Sequence, residues 1–269
     1  MAIACSTSLR CGSTLEDALA TISRLGFKYV DLLTIDGWCH LHTQALADDF
    51  AAAVAPVDAL FERYHLKPLA TNSGVSGELF RRSDVLNARR QQEINGLIRY
   101  MKHAGIGVAA IQPRGTDRTV PWEPLLRQAA QSVRDHLRLG AAAGVTFALE
   151  LHVHSWVETM AQADVLLAEF PDIPLVYDPT HFVMQGLDIR QTLPLVARAR
   201  HVHLRNAAKG QIQAPLDSGQ VDFDWVFGAL KDRGYQGHFS IEYLQTTDFP
   251  VDDDARRLRD LIAQHFPAD

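Results

Sequence analysis

Short apolar runs alternate with longer amphipathic stretches along the whole chain. Eight runs read as strands: AIACS (2–6), KYVDLL (28–33), KPLAT (67–71), VAAIQ (108–112), VTFALE (145–150), IPLVYD (173–178), RHVHLR (200–205) and HFSIEY (238–243). They are rich in Val, Ile, Leu and Phe, as strands buried on both faces are. In the first intervening stretch Leu15, Ala18, Leu19, Ile22 and Leu25 recur at three- and four-residue spacing. That spacing lays one apolar stripe along one helical face. Ser13 and Glu16 fit a capping box at its start, and Gly26 supplies a stop. Similar helices are predicted at 44–65, 86–104, 122–143, 158–169, 188–198, 222–233 and 252–265, with Gly105, Gly144 and Gly234 marking helix ends. A strand–helix rhythm requires crossover connections and hence a parallel sheet. Eight such units in 269 residues predict an α/β fold, a closed (β/α)8 TIM barrel, as a single domain over 1–269. A doubly wound open sheet would show fewer strands and a glycine-rich phosphate loop after the first. The segment STSLRCGS holds one glycine. Two longer loops stand out: 34–43, with Trp38, His40 and His42, and 72–84.

Composition narrows the partners. Hydrophobic residues make up 47% of the chain, enough for a large core, and the formal net charge is −6 from 32 acidic and 26 basic side chains. That balance argues against generic binding to nucleic acid or to an anionic membrane. Cys5, Cys11 and Cys39 form no CxxC pair, and an odd count is a poor disulfide framework. A reducing, cytoplasmic setting is therefore expected. The opening MAIACSTSLRCG lacks a basic region followed by an apolar core, so no signal peptide is expected. No apolar run approaches the roughly 18 residues that a membrane span requires.

Barrel enzymes place their chemistry at the C-terminal ends of the strands. Glu150 ends the fifth run, Asp178 the sixth and Glu242 the eighth, and His203 lies in the seventh. A helix cap or a structural hydrogen bond accounts for any one of these residues. Three carboxylates buried together and unpaired would cost several kcal/mol and repel one another. A divalent cation removes both difficulties, so Glu150, Asp178, His203 and Glu242 are predicted to ligate one metal ion. A set of oxygen and nitrogen donors without sulfur favours Mn²⁺, with Mg²⁺, Co²⁺ or an open Zn²⁺ site as alternatives. Four protein ligands leave about two octahedral positions for adjacent oxygens of a hydroxy-carbonyl compound.

The segments ALELH, VYDPTH, HVHLRN and DSGQVDFDWVFGALKDRGYQGHFSIEY resemble the xylose isomerase-like superfamily of sugar isomerases, epimerases and related dehydratases. The resemblance covers residues 145–243; before them only the strand–helix rhythm agrees. It implies that the same four residues bind metal, that Glu150 and Glu242 are an acid–base pair, and that His181 contacts substrate. Elementary chemistry agrees: a metal-held carbonyl stabilises the enediolate left by proton loss, and a carboxylate on each face can remove and return the proton. His152 and Arg205 are further candidates for substrate contact, Arg205 through a carboxylate or phosphate, and Arg114 is another. His154 joins Glu150 and His152 on one face if the strand continues. Lys209 stands where the family's sugar epimerases usually have arginine.

Three readings follow. The first is an isomerase or epimerase of a small sugar or hydroxy-carbonyl compound. The second is a dehydratase resembling those for inosose or dehydroshikimate, suggested by the Glu150-Leu-His152 segment. The third is an AP endonuclease-like repair enzyme, disfavoured because Asn72 and Gln112 stand where extra metal-binding histidines belong. A metal-free binding barrel is the remaining alternative. The expected partner is a small molecule, not nucleic acid or membrane, and the resemblance implies a homodimer or homotetramer.

Overall fold

The computed structural model describes residues 1–267, without the side chain of Cys39. Eight parallel strands form the barrel: β1 (Ile3–Ser6), β2 (Tyr29–Ile35), β3 (Lys67–Gly74), β4 (Val108–Ile111), β5 (Thr146–Glu150), β6 (Leu175–Tyr177), β7 (Ala199–Leu204) and β8 (His238–Ile241). Each pairs with the next, and β1 pairs with both β2 and β8, which closes the sheet. Cys39–His40 adds a short antiparallel ribbon to the end of β2. All eight predicted strands are present.

Strand alternation explains why the runs looked so uniformly apolar. Phe147, Leu149, Val202, Leu204, Phe239 and Ile241 belong to the main core cluster, while Ala70, Val108, Ala110, Ala148 and Val176 form a separate small one. Successive side chains point to opposite faces. The bulky set therefore packs against the helices, and the alternate positions, small or polar, face the barrel interior. His201, His203, Ser240 and Glu242 occupy that second series.

Several boundaries differ from expectation. The first helix is capped by Thr14 and Asp17, not by Ser13 and Glu16, because Thr14 receives the Asp17 N–H at 3.1 Å and Asp17 accepts the Thr14 N–H at 3.2 Å. The helix predicted over 44–65 is two, Thr43–Asp48 and Phe50–Arg63. Asp49 leaves helical geometry between them and caps the second through Ala52 N–H. The 188–198 stretch is a 3₁₀ turn, Ile189–Thr192, followed by one helical turn, Leu193–Val196. Proline at 194 suits the start of that turn. An unpredicted five-residue helix, Thr180–Met184, follows β6 directly. In the DSGQ turn a Cβ at Gly219 would lie 2.0 Å from the Asn206 side chain. Asn206 needs that space to bond Ala207 N–H, Val221 N–H and Leu216 C=O, which ties the loop after β7 in place.

No helix among the described residues is long and apolar enough to cross a membrane.

Candidate metal centre and substrate cavity

The predicted residues meet at the C-terminal mouth of the barrel. His203 Nδ1 lies 2.8 Å from Glu150 Oε1 and 3.4 Å from Glu242 Oε2. Donor atoms of Glu150, His203 and Glu242 all fall within 4.8 Å of one another, as do those of Glu150, Asp178 and His181. Glu150 is common to both groups. All these residues are buried.

Three residues that carried little signal in the sequence hold the acids and His203 in position. Asn72 Nδ2 donates to Glu242 Oε1 at 2.7 Å. Gln112 Nε2 donates to Glu150 Oε2 at 2.5 Å and to Asn72 Oδ1 at 2.9 Å. Asp31, which the sequence reading missed, accepts from His203 Nε2 at 3.1 Å and faces His201 Nε2 at 3.3 Å. Its visible clue was a carboxylate inside an otherwise apolar run, KYVDLL. A carboxylate on one ring nitrogen fixes the tautomer and aims the other nitrogen, here Nδ1 towards Glu150 and Glu242.

Arg205 borders the cavity and is buried against two of the acids. It donates to Glu242 Oε2 and Glu242 C=O, both at 2.7 Å, and lies 3.3 Å from Asp178 Oδ2. His181 is buried, with Nε2 3.5 Å from Asp178 Oδ2 and its ring centroid 3.9 Å from that of His152. Neither ring nitrogen of His181 has a hydrogen-bond partner. His152 borders the cavity above the acids. His154 departs from the expected common face, because β5 ends at Glu150 and His154 is exposed with φ +61°. Arg114, also at positive φ, borders the cavity and donates to Val75 C=O at 2.9 Å. Trp38 is half-exposed at the rim, whereas His40 turns back to Arg10 C=O. Lys209 is exposed and lies over Gly186.

Burial and mutual repulsion set the charge states. Burial raises the Asp178 carboxyl to about 6, against the pull of Arg205 and with the push of Glu150 and Glu242. Burial also disfavours the Glu242 carboxylate, but His203 and Arg205 outweigh it and bring its pKa down to about 2. For His203 burial opposes the charge, yet Glu242 and Glu150 prevail and raise its pKa well above the usual value. Burial, then His152, lowers His181 well below the ordinary imidazole range, so it is neutral.

A divalent cation fits this arrangement. Of four buried carboxylates, Asp178 and Glu242 share the guanidinium of Arg205, while Asp31 and Glu150 have only imidazoles as counter-charges. Asp178 Oδ1 is satisfied by Thr180, but Asp178 Oδ2 has no hydrogen-bond partner. Buried acceptors without donors carry a penalty that a cation relieves, and a mixed carboxylate–imidazole set suits Mn²⁺, Mg²⁺, Co²⁺ or Zn²⁺.

Residues 19–264 match the family model described as xylose isomerase-like TIM barrel, and the chain belongs to that family. The inosose dehydratase of Geobacillus thermodenitrificans is 29% identical over 125 residues, 39% of this chain and 42% of that protein. The chain thus aligns with about two fifths of the length of such dehydratases. The inosose isomerase of Halalkalibacterium halodurans is 23% identical over 243 residues, covering 86% of this chain and 83% of the relative. Among solved structures, the IOLI protein with a bound zinc atom superposes with a TM-score of 0.74 at 19% identity, over 100% of both chains. The 3-keto-D-glucoside 4-epimerase of E. coli gives 0.73 at 16% identity, over 98% of this chain and 99% of that one. At such identities the structural likeness establishes the barrel fold. The sequence relatives carry names of enzymes acting on small sugar-like compounds.

Proposed function

We propose that this protein is a divalent-metal-dependent isomerase or epimerase of a small polyhydroxy or hydroxy-carbonyl compound. The observation that carries the reading is the pair of buried carboxylates, Glu150 and Glu242, flanking His203 Nδ1, with Glu242 bordering a cavity of about 380 Å³. Glu150, Asp178, His203 and Glu242 would hold the ion, Mn²⁺ by preference. When bound, it would supply Lewis-acid polarisation of the substrate carbonyl.

The chain's own groups then divide the remaining work. Glu150 and Glu242 come from non-adjacent strands, so one removes the proton from the carbon beside the carbonyl and the other returns it from the opposite side. Asn72 and Arg205 hold Glu242 in one orientation as an ionised acceptor. Gln112 does the same for Glu150. His181, neutral and without partners, is free to bond a substrate hydroxyl, and His152 stacks on it from the cavity side. Arg114 sits where it can meet the far end of a ligand.

A second reading, a dehydratase, is favoured by the similarity to inosose dehydratases. It begins with the same proton removal and continues with loss of a β-hydroxyl. The two readings separate in one assay: the metal-loaded protein is incubated in deuterated water with ketoses, an inosose and dehydroshikimate. Isomeric product whose only mass change is one incorporated deuterium supports isomerisation. Product lighter by water, with new enone absorbance, supports dehydration. Absence of exchange at the α-carbon of every compound would contradict both.

A further inference from the structure

The walls of the cavity do not match its floor. The floor is polar, but its amide and guanidinium donors are largely committed: Asn72 to Glu242, Gln112 to Glu150 and Asn72, and Arg205 to Glu242 and Ile212 C=O. The apolar walls above them are Ile35, Trp38, Val153, Met184, Ile212 and Leu244, and His152, His154 and Arg114 supply the rest of the lining. Trp38 remains 45% exposed at the mouth. Hydroxyls drawn against such walls would lose water without gaining partners, at roughly 1–3 kcal/mol each on protein scales. An apolar group in the same place gains about 25 cal/mol per Å² removed from water. The cavity volume of about 380 Å³ lies in the range of sites for whole small molecules, so a short ketose held at the floor leaves the walled part unfilled.

We propose that the substrate is bipolar: a hydroxy-carbonyl end that reacts at the floor, joined to an apolar ring face, alkyl or aryl group that packs against Trp38, Ile212 and Leu244. The inference rests on the functional reading above for its reactive end. It goes further by specifying what the rest of the molecule is.

Two probes share the reactive end and differ only beyond it. In 2-hydroxyacetophenone the ketone carries a phenyl ring, and in dihydroxyacetone it carries a hydroxymethyl group. Isothermal titration of the metal-loaded protein should give at least about tenfold tighter binding of the aryl ketone, a factor that burial of part of one ring readily supplies. Trp38→Ser, at a half-exposed position where folding is not at stake, should lower affinity for the aryl ketone more than for dihydroxyacetone and draw the ratio towards one. Leu244→Ser should act in the same direction. Equal affinities, preference for dihydroxyacetone, or no binding of either probe at millimolar concentration would overturn the proposal. So would variants that weaken both probes alike. Deuterium exchange at the α-carbon, followed by NMR on the same samples, reports the acid–base reading separately. Exchange without aryl preference sinks only the bipolar substrate, and aryl preference without exchange sinks only the chemistry.

Discussion

The two halves of the barrel do different jobs at one mouth. Strands β5–β8 deliver Glu150, Asp178, His203 and Glu242, together with Arg205 just beyond β7. Strands β2 and β3 and the end of β4 deliver Asp31, Asn72 and Gln112, each bonded to a member of that set. The second half thus presents the carboxylates and imidazole of the proposed ion and acid–base site, while the first half orients them. Buried charge is tolerated only where oriented dipoles or counter-charges meet it. The amides of Asn72 and Gln112 and the carboxylate of Asp31 are those partners.

The sharpest way to break this division is to neutralise an acid from the second half. Glu242→Gln keeps the shape and the bond from Arg205, and should leave the thermal transition near its original temperature. Turnover should fall by about 10²–10⁴. A steady-state assay on the substrate found by the exchange screen checks it, and near-normal turnover would remove Glu242 from the acid–base role. Next comes the orienting carboxylate of the first half. Asp31→Asn should weaken metal affinity by about 10–100-fold, measured by competition with a chromophoric chelator. Unchanged affinity would reduce Asp31 to packing. A smaller effect is expected at Gln112. Gln112→Met leaves Glu150 Oε2 without its donor, which at about 0.5–1.5 kcal/mol for one hydrogen bond corresponds to up to roughly tenfold in kcat/KM. An effect as large as that of Glu242→Gln would mean the amide touches the reacting atoms.

The last effect, on stability and not on activity, concerns the scaffold of the first half. His136 lies buried in the helix Trp122–Ala143, its Nδ1 2.8 Å from Ser132 C=O, and burial lowers its pKa from 6.5 to about 4. The unfolded chain therefore binds a proton that the folded chain refuses between those values. Stability from this group is complete above pH 6.5 and is lost as pH falls towards 4, by on the order of 3 kcal/mol at most. Thermal melts at pH 7 and 4.5 should show His136→Met losing less stability than the parent protein over that interval. An identical loss would place the acid sensitivity elsewhere.

The same contrast explains what could be read from the sequence. The eight strands were legible because outward positions such as Phe147, Leu149, Val202 and Leu204 must be apolar to pack on helices. The four acidic and imidazole residues were legible because each sits at or near a strand end, and β5–β8 follow one another at about one strand–helix unit. Asp31 was not legible, since its role depends on β2 facing β7 across the barrel, a contact between residues 172 positions apart. Asn72 and Gln112 were visible only as strand-end polar residues, because an amide's role depends on which carboxylate it meets. Arg205 stood in plain view, and alternation from His203 puts it on the inner face, but which carboxylate its guanidinium meets depends on the neighbouring strand β8. Helix breaks escaped for a similar reason: Asp49 stops one helix and caps the next through a single local bond, a choice that apolar periodicity does not register.

Stoichiometric metal binding tests the central claim most directly. The metal-stripped protein is titrated with Mn²⁺, and bound ion per chain is read by native mass spectrometry and calorimetry, for the parent chain and for Asp178→Asn and His203→Gln. The account predicts one ion per chain, with affinity falling sharply in both variants while each stays folded. No ion bound by the parent chain, or an ion bound equally well by both variants, would contradict it.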